Sequence, residues 1–447
     1  MGLRFHNFIQ GYFPHFQRGT RSVGDQAEQY LQGLIQAHRK NMERMEEVVP
    51  DCDYQSLQHF VSHSEWDAGA VLNQVAAEAD RHLGGSADSC LLLDESAFAK
   101  KGDKSVGVAR QWSGRLGKVD NCQVAVFACL TQGSSATLID TRLYLPREWT
   151  DDRERCLAAG VPLHKVVFKS KADLALEMVL GARQNGVRFT WVGVDGGYGK
   201  EPGFLRRLED YAEVFVAEVH KDQKIYQEDP DPCMPEKKST RGRKPTRLEA
   251  QTASLRVDAW LKAQPAELWQ KVTVRLGTKG ELRLEAMHAR VWLWDGHESK
   301  ARHWHLVATR ELGSPKTIKY TLSNAPEETS LQRLVQMQRQ RFWIERSFED
   351  GKSESGMADY QVRGWLAWHH HMALVMMAML FMLEERLSQK ELYPLLSCAD
   401  IEVLLAFFLP RRDVTVAEVI RQMKARHRAR QAAIDSAYRR QQVSDPE

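Results

Sequence analysis

The sequence predicts an α/β fold: a mixed sheet flanked by helices, interrupted by a mainly β insertion and framed by helical N- and C-terminal regions. Three observations carry that expectation. Short apolar runs alternate with helical periodicity between residues 89 and 219, a polar, Pro- and Lys-rich stretch then breaks the pattern, and strand-like alternation follows it before helices return.

Taken in order, residues 25–83 place Leu31, Leu34 and Ile35 at helical spacing, and Gly84-Gly85-Ser86 ends that region. Cys90–Phe98 reads as a buried strand with a polar end. Cys122–Thr131 and Ala136–Leu145 follow as a pair of strands across Gln132-Gly133-Ser134-Ser135. Lys171–Gln184 is a helix stopped by Asn185-Gly186, and the strand Phe189–Val194 after it delivers Asp195 and Gly196-Gly197-Tyr198-Gly199. Glycines there allow close backbone approach to a ligand. Helix Gly203–Tyr211 and strand Val214–Val219 complete the alternating unit. Beyond the basic stretch, Lys271–Leu276, Leu282–Trp294 and His303–Thr309 alternate as strands. Helical spacing returns at Leu331 and runs to Lys352, resumes from Trp365 to Ser388, and closes the chain in a basic segment, Arg411–Gln442. The expected parts are 1–84 (helical), 85–220 (first part of the core), 221–328 (basic linker and β-rich insertion), 329–390 (final core helices) and 391–447 (helical, basic). No internal repeat is evident.

Composition excludes several classes. Of 447 residues, 43 % are hydrophobic and 27 % charged, which rules out collagen-like, mucin-like and wholly disordered chains. The longest apolar stretch, Met372–Leu383, falls short of the roughly 20 residues of a membrane span. No secretory h-region follows Met1, so a cytoplasmic location is expected. Seven cysteines without a C-x-x-C pair indicate neither a disulfide framework nor a zinc ribbon. Lys+Arg 62 against Asp+Glu 59 is too even a balance to name a nucleic-acid partner by itself.

The chemistry is expected at Asp94 and Asp195, each at the polar end of an apolar strand in one sheet. Strand alternation sends Glu95 to the opposite face from Asp94, so only one of the two serves a shared site. Carboxylates holding two hard divalent cations about 3.5–4 Å apart activate a water or a 3′-hydroxyl and stabilise the leaving oxygen of a phosphodiester. A third acid completes such a site. Glu345 is the candidate: on a helix, Arg341 four residues before it and Lys352 seven after it project from nearly the same face, suited to gripping phosphates. Glu349, one turn further, is its rival.

These residues resemble a DDE transposase of bacterial insertion sequences, with an RNase H-like catalytic core. In particular, Arg341-x3-Glu345-x6-Lys352 is similar to the branch signature Y-x2-R-x3-E-x6-K, whose core is split by a β-rich insertion, and that spacing favours Glu345. Gln338 stands where the signature has tyrosine. Residues 94–123, from Asp94-Glu95-Ser96 through Arg110-Gln111 to Lys118 and Gln123, also resemble the first-acid region of such enzymes. The resemblance implies Asp94, Asp195 and Glu345 as catalytic and metal-binding residues, Mg2+ as a two-ion cofactor with Mn2+ able to substitute, and cut-and-paste joining of 3′-OH ends to target DNA. It further implies double-stranded DNA (terminal inverted repeats and target) as partner, no membrane, and a homodimer on paired ends that acts at the nucleoid. DNA contacts are expected from Arg341, Lys352, Arg110 and Lys118. A flipped base of a hairpin intermediate would stack on Phe342, with Trp292 or Trp294 as a second aromatic.

Further segments keep two readings. Arg241-Gly242-Arg243-Lys244-Pro245 resembles minor-groove-binding arms, with Arg241, Arg243 and Lys244 as DNA contacts, or is a solvated linker. His369-His370-His371 cannot all face one ion, because consecutive helical residues point about 100° apart, so a capped, partly exposed helix is expected. Arg39, Lys40 and Arg44 are candidates for recognising terminal repeats, and the C-terminal basic helix for DNA. Two other functions share the fold: a catalytically silent DNA-binding or regulatory protein, and a nuclease or resolvase that cuts without joining.

Overall fold

The computed structural model describes residues 1–18, 21–114, 116–235, 245–277 and 280–444. Among them a ten-stranded mixed sheet forms the centre. In chain order its strands are β1 (Ser89–Ala99), β2 (Ala109–Ser113), β3 (Lys118–Gln132), β4 (Ser135–Leu143), β5 (Trp191–Val194), β6 (Phe215–Val219), β7 (Gln270–Gly277), β8 (Gly280–Leu293), β9 (Arg302–Glu311) and β10 (Ser314–Ser323). The spatial order is β7-β8-β9-β10-β6-β5-β1-β3-β2, with β4 also paired to β3.

The centre of the sheet follows from composition. Cys90 to Leu93 of β1 and all four residues of β5 are buried, as parallel strands covered on both faces require. β1, β5 and β6 are parallel neighbours, while β3 runs antiparallel to β1. This mixed sheet flanked by helices is compatible with an RNase H-like core. The long inserted strands extend the core sheet: β10 pairs antiparallel with β6, and β7 to β9 continue from it, while Lys224–Ile225 and Leu255–Arg256 pair separately as a short two-stranded sheet. β10, not foreseen as a strand, alternates Thr317, Lys319 and Thr321 with Ile318, Tyr320 and Leu322 behind an opening Pro315 that masks the pattern.

The main helices are α1 (Gly2–Gln10), α2 (Gly24–Gln36), α3 (Met42–Val48), α4 (Tyr54–Ser62), α5 (Ala68–Leu83), α6 (Lys171–Gln184), α7 (Pro202–Asp210), α8 (Leu331–Gln340), α9 (Phe342–Ser353), α10 (Trp365–Ser388), α11 (Cys398–Phe408) and α12 (Val416–Ser444). α10 packs among α2, α4, α5 and β4 and is almost wholly buried. Its 24 residues are long and apolar enough to cross a membrane by length and composition, beyond what the Met372–Leu383 run suggested, yet they lie inside the fold as a core helix.

Burial corrects two sequence expectations. His370 and His371 are fully buried rather than partly exposed. The His370 ring nitrogens lie 2.9 Å from the carbonyls of Val61 and Trp66, its ring stacks on Trp66 at 3.7 Å, and His371 Nδ1 meets Tyr30 Oη at 2.8 Å. The histidines therefore dock the N-terminal helices on α10. Lys40 is also buried and pairs with Glu402 at 2.5 Å, so its charge is spent inside the protein; Arg44 pairs with Glu47 at 2.6 Å. All seven cysteines are unpaired, six of them buried.

Candidate active site

Strand register brings the first two acids together. Leu93 of β1 lies opposite Val194 of β5, so Asp94 and Asp195, one residue further on, continue side by side from parallel neighbours. On the opposite face Glu95 pairs with Lys171 of α6 at 2.5 Å, as alternation predicts. Asp195 also caps the helical turn Gly196–Gly199: its Oδ1 accepts from Gly197 N at 2.9 Å and Tyr198 N at 3.3 Å. The glycines of this turn serve the protein itself. A Cβ on Gly199 would stand 1.8 Å from the Glu218 carbonyl, so glycine is what lets the turn pack on β6.

Glu345 arrives from α9 through Arg341. Arg341 sits in helical conformation at the junction of α8 and α9, and its guanidinium reaches Asp94 Oδ2 at 3.1 Å, Glu345 Oε1 at 2.5 Å and Glu218 Oε1 at 3.3 Å. The arginine is thus the cation around which the acids gather. Its side chain is 16 % exposed, that of Asp94 13 % and that of Glu345 53 %. Burial, and then the charge of Asp195, push the Asp94 carboxyl well above the usual carboxylate range despite Arg341 beside it. Burial opposes the charge on Arg341, but Glu218, Asp94, Glu345 and Asp195 together raise its pKa.

The acids carry hard oxygen donors and an excess of negative charge that Arg341 only partly offsets, which is the donor chemistry divalent cations take. Among the described residues no group of three His, Cys, Asp or Glu side chains is gathered at metal-ligand spacing. The side chains are thus of the kind a divalent ion takes but are not drawn together as a ligand set, and Arg341 supplies the positive charge that Asp94 and Glu345 share. Four buried polar atoms near it lack hydrogen-bond partners: Arg339 Nε, Gln340 Oε1, Arg341 Nε and Trp343 Nε1; the buried Tyr198 Oη is a fifth. Asp94 and Asp195 raise the pKa of Tyr198 by their charge, after burial and Glu95. Unpaired buried donors and acceptors are costly unless something meets them.

Gln338, three residues before Arg341, is 3 % exposed and points into the sheet. It donates to Thr321 Oγ1 of β10 at 2.5 Å and accepts from Thr309 Oγ1 of β9 at 3.0 Å, pinning α8 to the inserted strands. Lys352 lies two turns beyond Glu345, its Nζ 5.9 Å from the Phe98 ring centroid. Phe342 is 46 % exposed, stacked edge-on to Trp343 and covered by Arg275 at 4.8 Å. Trp292 stacks on His303, and Trp294 donates to the Glu298 carbonyl.

Arg110 and Lys118 lie on the exposed β2–β3 hairpin, not beside the acids. Arg110 pairs in register with Asn121, six residues along β3 from the Phe127 that faces Asp94, or about 20 Å. Lys118 pairs with Asp120 at 3.3 Å. Arg241, Arg243 and Lys244 lie outside the described residues. Sequence reasoning missed Glu218, Tyr198, Arg275 and Trp343. For Glu218 the signal was present, a carboxylate interrupting the apolar strand Phe-Val-Ala-Glu-Val.

The model of the DDE superfamily endonuclease family matches residues 11–281, more than half of the chain, including Asp94 and Asp195 and ending before α8. The chain belongs to the DDE superfamily endonucleases. This DDE endonuclease is also similar to a probable transposase for insertion sequence element IS701 from Microchaete diplosiphon. The two are 22 % identical over 325 residues, which span 72 % of this chain and 73 % of that protein.

Proposed function

We propose that this DDE endonuclease is the transposase of an insertion sequence: it binds the ends of the element as a homodimer on double-stranded DNA, cleaves them with two divalent ions, and joins the 3′-OH ends to target DNA by cut-and-paste transposition. The observation that supports this most is the parallel register setting Asp94 beside Asp195, with one guanidinium linking Asp94 to Glu345.

Asp94, Asp195 and Glu345 would hold the ions, Mg2+ or in its place Mn2+. When bound, two such ions supply activation of a water or 3′-hydroxyl and stabilisation of the leaving oxygen. The chain's own residues do the rest. Asp195 uses Oδ1 for its cap, so its other oxygen is the one presented to the site. Arg341, no longer needed to neutralise Asp94 and Glu345, turns its N–H groups to a phosphate beside the scissile bond, and Lys352 grips the strand further along. Phe342 offers an exposed ring for an unstacked base. Gln338 keeps α8 seated on β9 and β10, so that Arg341 and Glu345 hold their place when DNA enters.

Asp94→Asn tests the reading. Purified variant is expected to bind end-sequence DNA while Mg2+- or Mn2+-dependent cleavage falls by at least about a thousandfold; undiminished cleavage would falsify the assignment. A strand-transfer assay then separates a transposase from a nuclease that cuts without joining.

A further inference from the structure

The row of acids does not stop at Asp195. Val194 of β5 lies opposite Ala217 of β6, so Glu218 is the next residue in the same register and follows Asp94 and Asp195 across three parallel strands. Its carboxylate is only 20 % exposed and stands between two cations. Oε1 lies 3.2 Å from Lys319 Nζ of β10 and 3.3 Å from Arg341 Nε. The backbone carbonyl of Glu218 is fixed against the Gly199 turn, and its strand is locked to β10 through the Thr321 pairing.

Arg341 needs such an anchor. In the structure three carboxylates share its charge; once Asp94 and Glu345 ligate metal, two of these are withdrawn and a long, flexible side chain would be released. Glu218 is the carboxylate that remains, and Lys319 and the Gly199 turn hold it in place. The buried Arg341 Nε makes no hydrogen bond in this arrangement, although Glu218 is within ion-pair distance, so an N–H facing Glu218 is still unused.

We propose that Glu218 is a positioning residue for DNA: it holds the Arg341 guanidinium at the mouth of the site so that the remaining N–H groups meet a phosphate, and Lys319 of the inserted strands holds Glu218. The inference rests on the reading of Arg341 as a phosphate contact.

The sign of the effect makes it testable. Glu218→Gln removes a negative charge beside the DNA path, so charge alone would tighten binding. An anchor predicts the opposite. With a fluorescent DNA duplex and Ca2+ in place of the catalytic ion, the full-length Glu218→Gln protein is expected to bind about 5–10-fold more weakly than wild type. The slope of log K against log salt should become shallower by roughly one, as for Arg341→Gln. In the Arg341→Gln background the same substitution should cost nothing further, because the two act as one unit. Glu218→Asp, which keeps the charge but draws it back by one methylene, is expected to give an intermediate loss, again only when Arg341 is present; it serves if Glu218→Gln does not fold. Unchanged or tighter binding by Glu218→Gln, or equal losses in both backgrounds, overturns the anchor while Arg341 keeps its role. If Arg341→Gln itself leaves binding unchanged, the phosphate contact and the anchor fall together, and the three acids are judged separately by Asp94→Asn cleavage.

Discussion

Two stretches of helix carry buried polar side chains, and they treat them differently. On α10, His370 presents both ring nitrogens to backbone carbonyls and its face to Trp66, and His371 Nδ1 meets Tyr30, which leaves His371 Nε2 as the one ring nitrogen of this pair without a partner. At the junction of α8 and α9, four polar atoms between Arg339 and Trp343 are buried without partners, and one arginine is shared among three acids. The histidines behave as fasteners between α10 and the N-terminal helices. The junction stores unmet polar atoms and an excess of carboxylates, the condition expected where a ligand completes the structure. One region should respond to substitution through stability and the other through activity.

The largest effect tests the junction. Glu345→Gln and Asp195→Asn are each expected to lower cleavage by at least about a thousandfold, with the thermal midpoint moving by no more than a few degrees. His370→Ala is the counterpart. It empties a ring-sized space beside Trp66 and removes the one N–H that the neutral ring donates to a backbone carbonyl, so a loss of about 3 kcal/mol in unfolding free energy is expected, with cleavage per folded molecule kept. Thermal melts read beside cleavage rates check both. Equal destabilisation by Glu345→Gln and His370→Ala would erase the contrast.

How much of this was legible in the sequence follows the same division. Asp94 and Asp195 could be placed because each ends an apolar strand, and strand register is set by local pattern. The β-rich character of the insertion was legible from alternation, but its fusion to the core sheet was not, since the β10–β6 pairing joins residues about a hundred positions apart. Arg341 and Glu345 were readable as a pair one helical turn apart, whereas the role of Arg341 as shared counter-ion depends on Glu218, which only the sheet brings near. The three histidines looked half-exposed because periodicity on α10 is hidden: nearly every face of that helix is apolar and covered. Lys40 looked like a surface cation because its partner Glu402 comes from a helix far along the chain.

The two regions should also tilt stability in opposite directions with pH. Burial lowers the pKa of His370 to about 4 and of His371 to about 3, below the ordinary value near 6.5. The unfolded chain then binds more protons, so their contribution is complete above pH about 6.5 and is lost as pH falls toward 4 and then 3, by up to about 1.4 kcal/mol per unit for each ring. Asp94 does the reverse. Its carboxyl is raised in the folded protein, so its contribution is complete below the ordinary carboxylate pKa and is lost as pH rises through the raised value. Metal-free protein melted across this range is expected to gain midpoint from pH 4 to 6.5. His371→Gln should flatten that acid limb, and Asp94→Asn should raise the midpoint above neutrality; parallel shifts by both variants would contradict the assignment.

The smallest effect concerns the basic helix α12. Arg421 belongs to the basic C-terminal helix that the sequence offers for DNA, but it meets Glu418 and Glu46 at 2.8 Å each, and Arg426 meets Glu47 at 2.7 Å. Their charges are thus offset by acids of the protein before any phosphate arrives, and α12 is fastened to α3 by these pairs. Lys424, Arg428 and Arg430 are exposed on the same helix. Arg421→Ala is therefore expected to change the affinity for a DNA duplex by less than about twofold and to leave the salt slope intact, since a cation already paired releases few counter-ions from DNA. Replacing Lys424 and Arg428 together is the sharper probe: a shallower slope would give α12 a share in DNA binding, and an unchanged one would leave that role to the catalytic face.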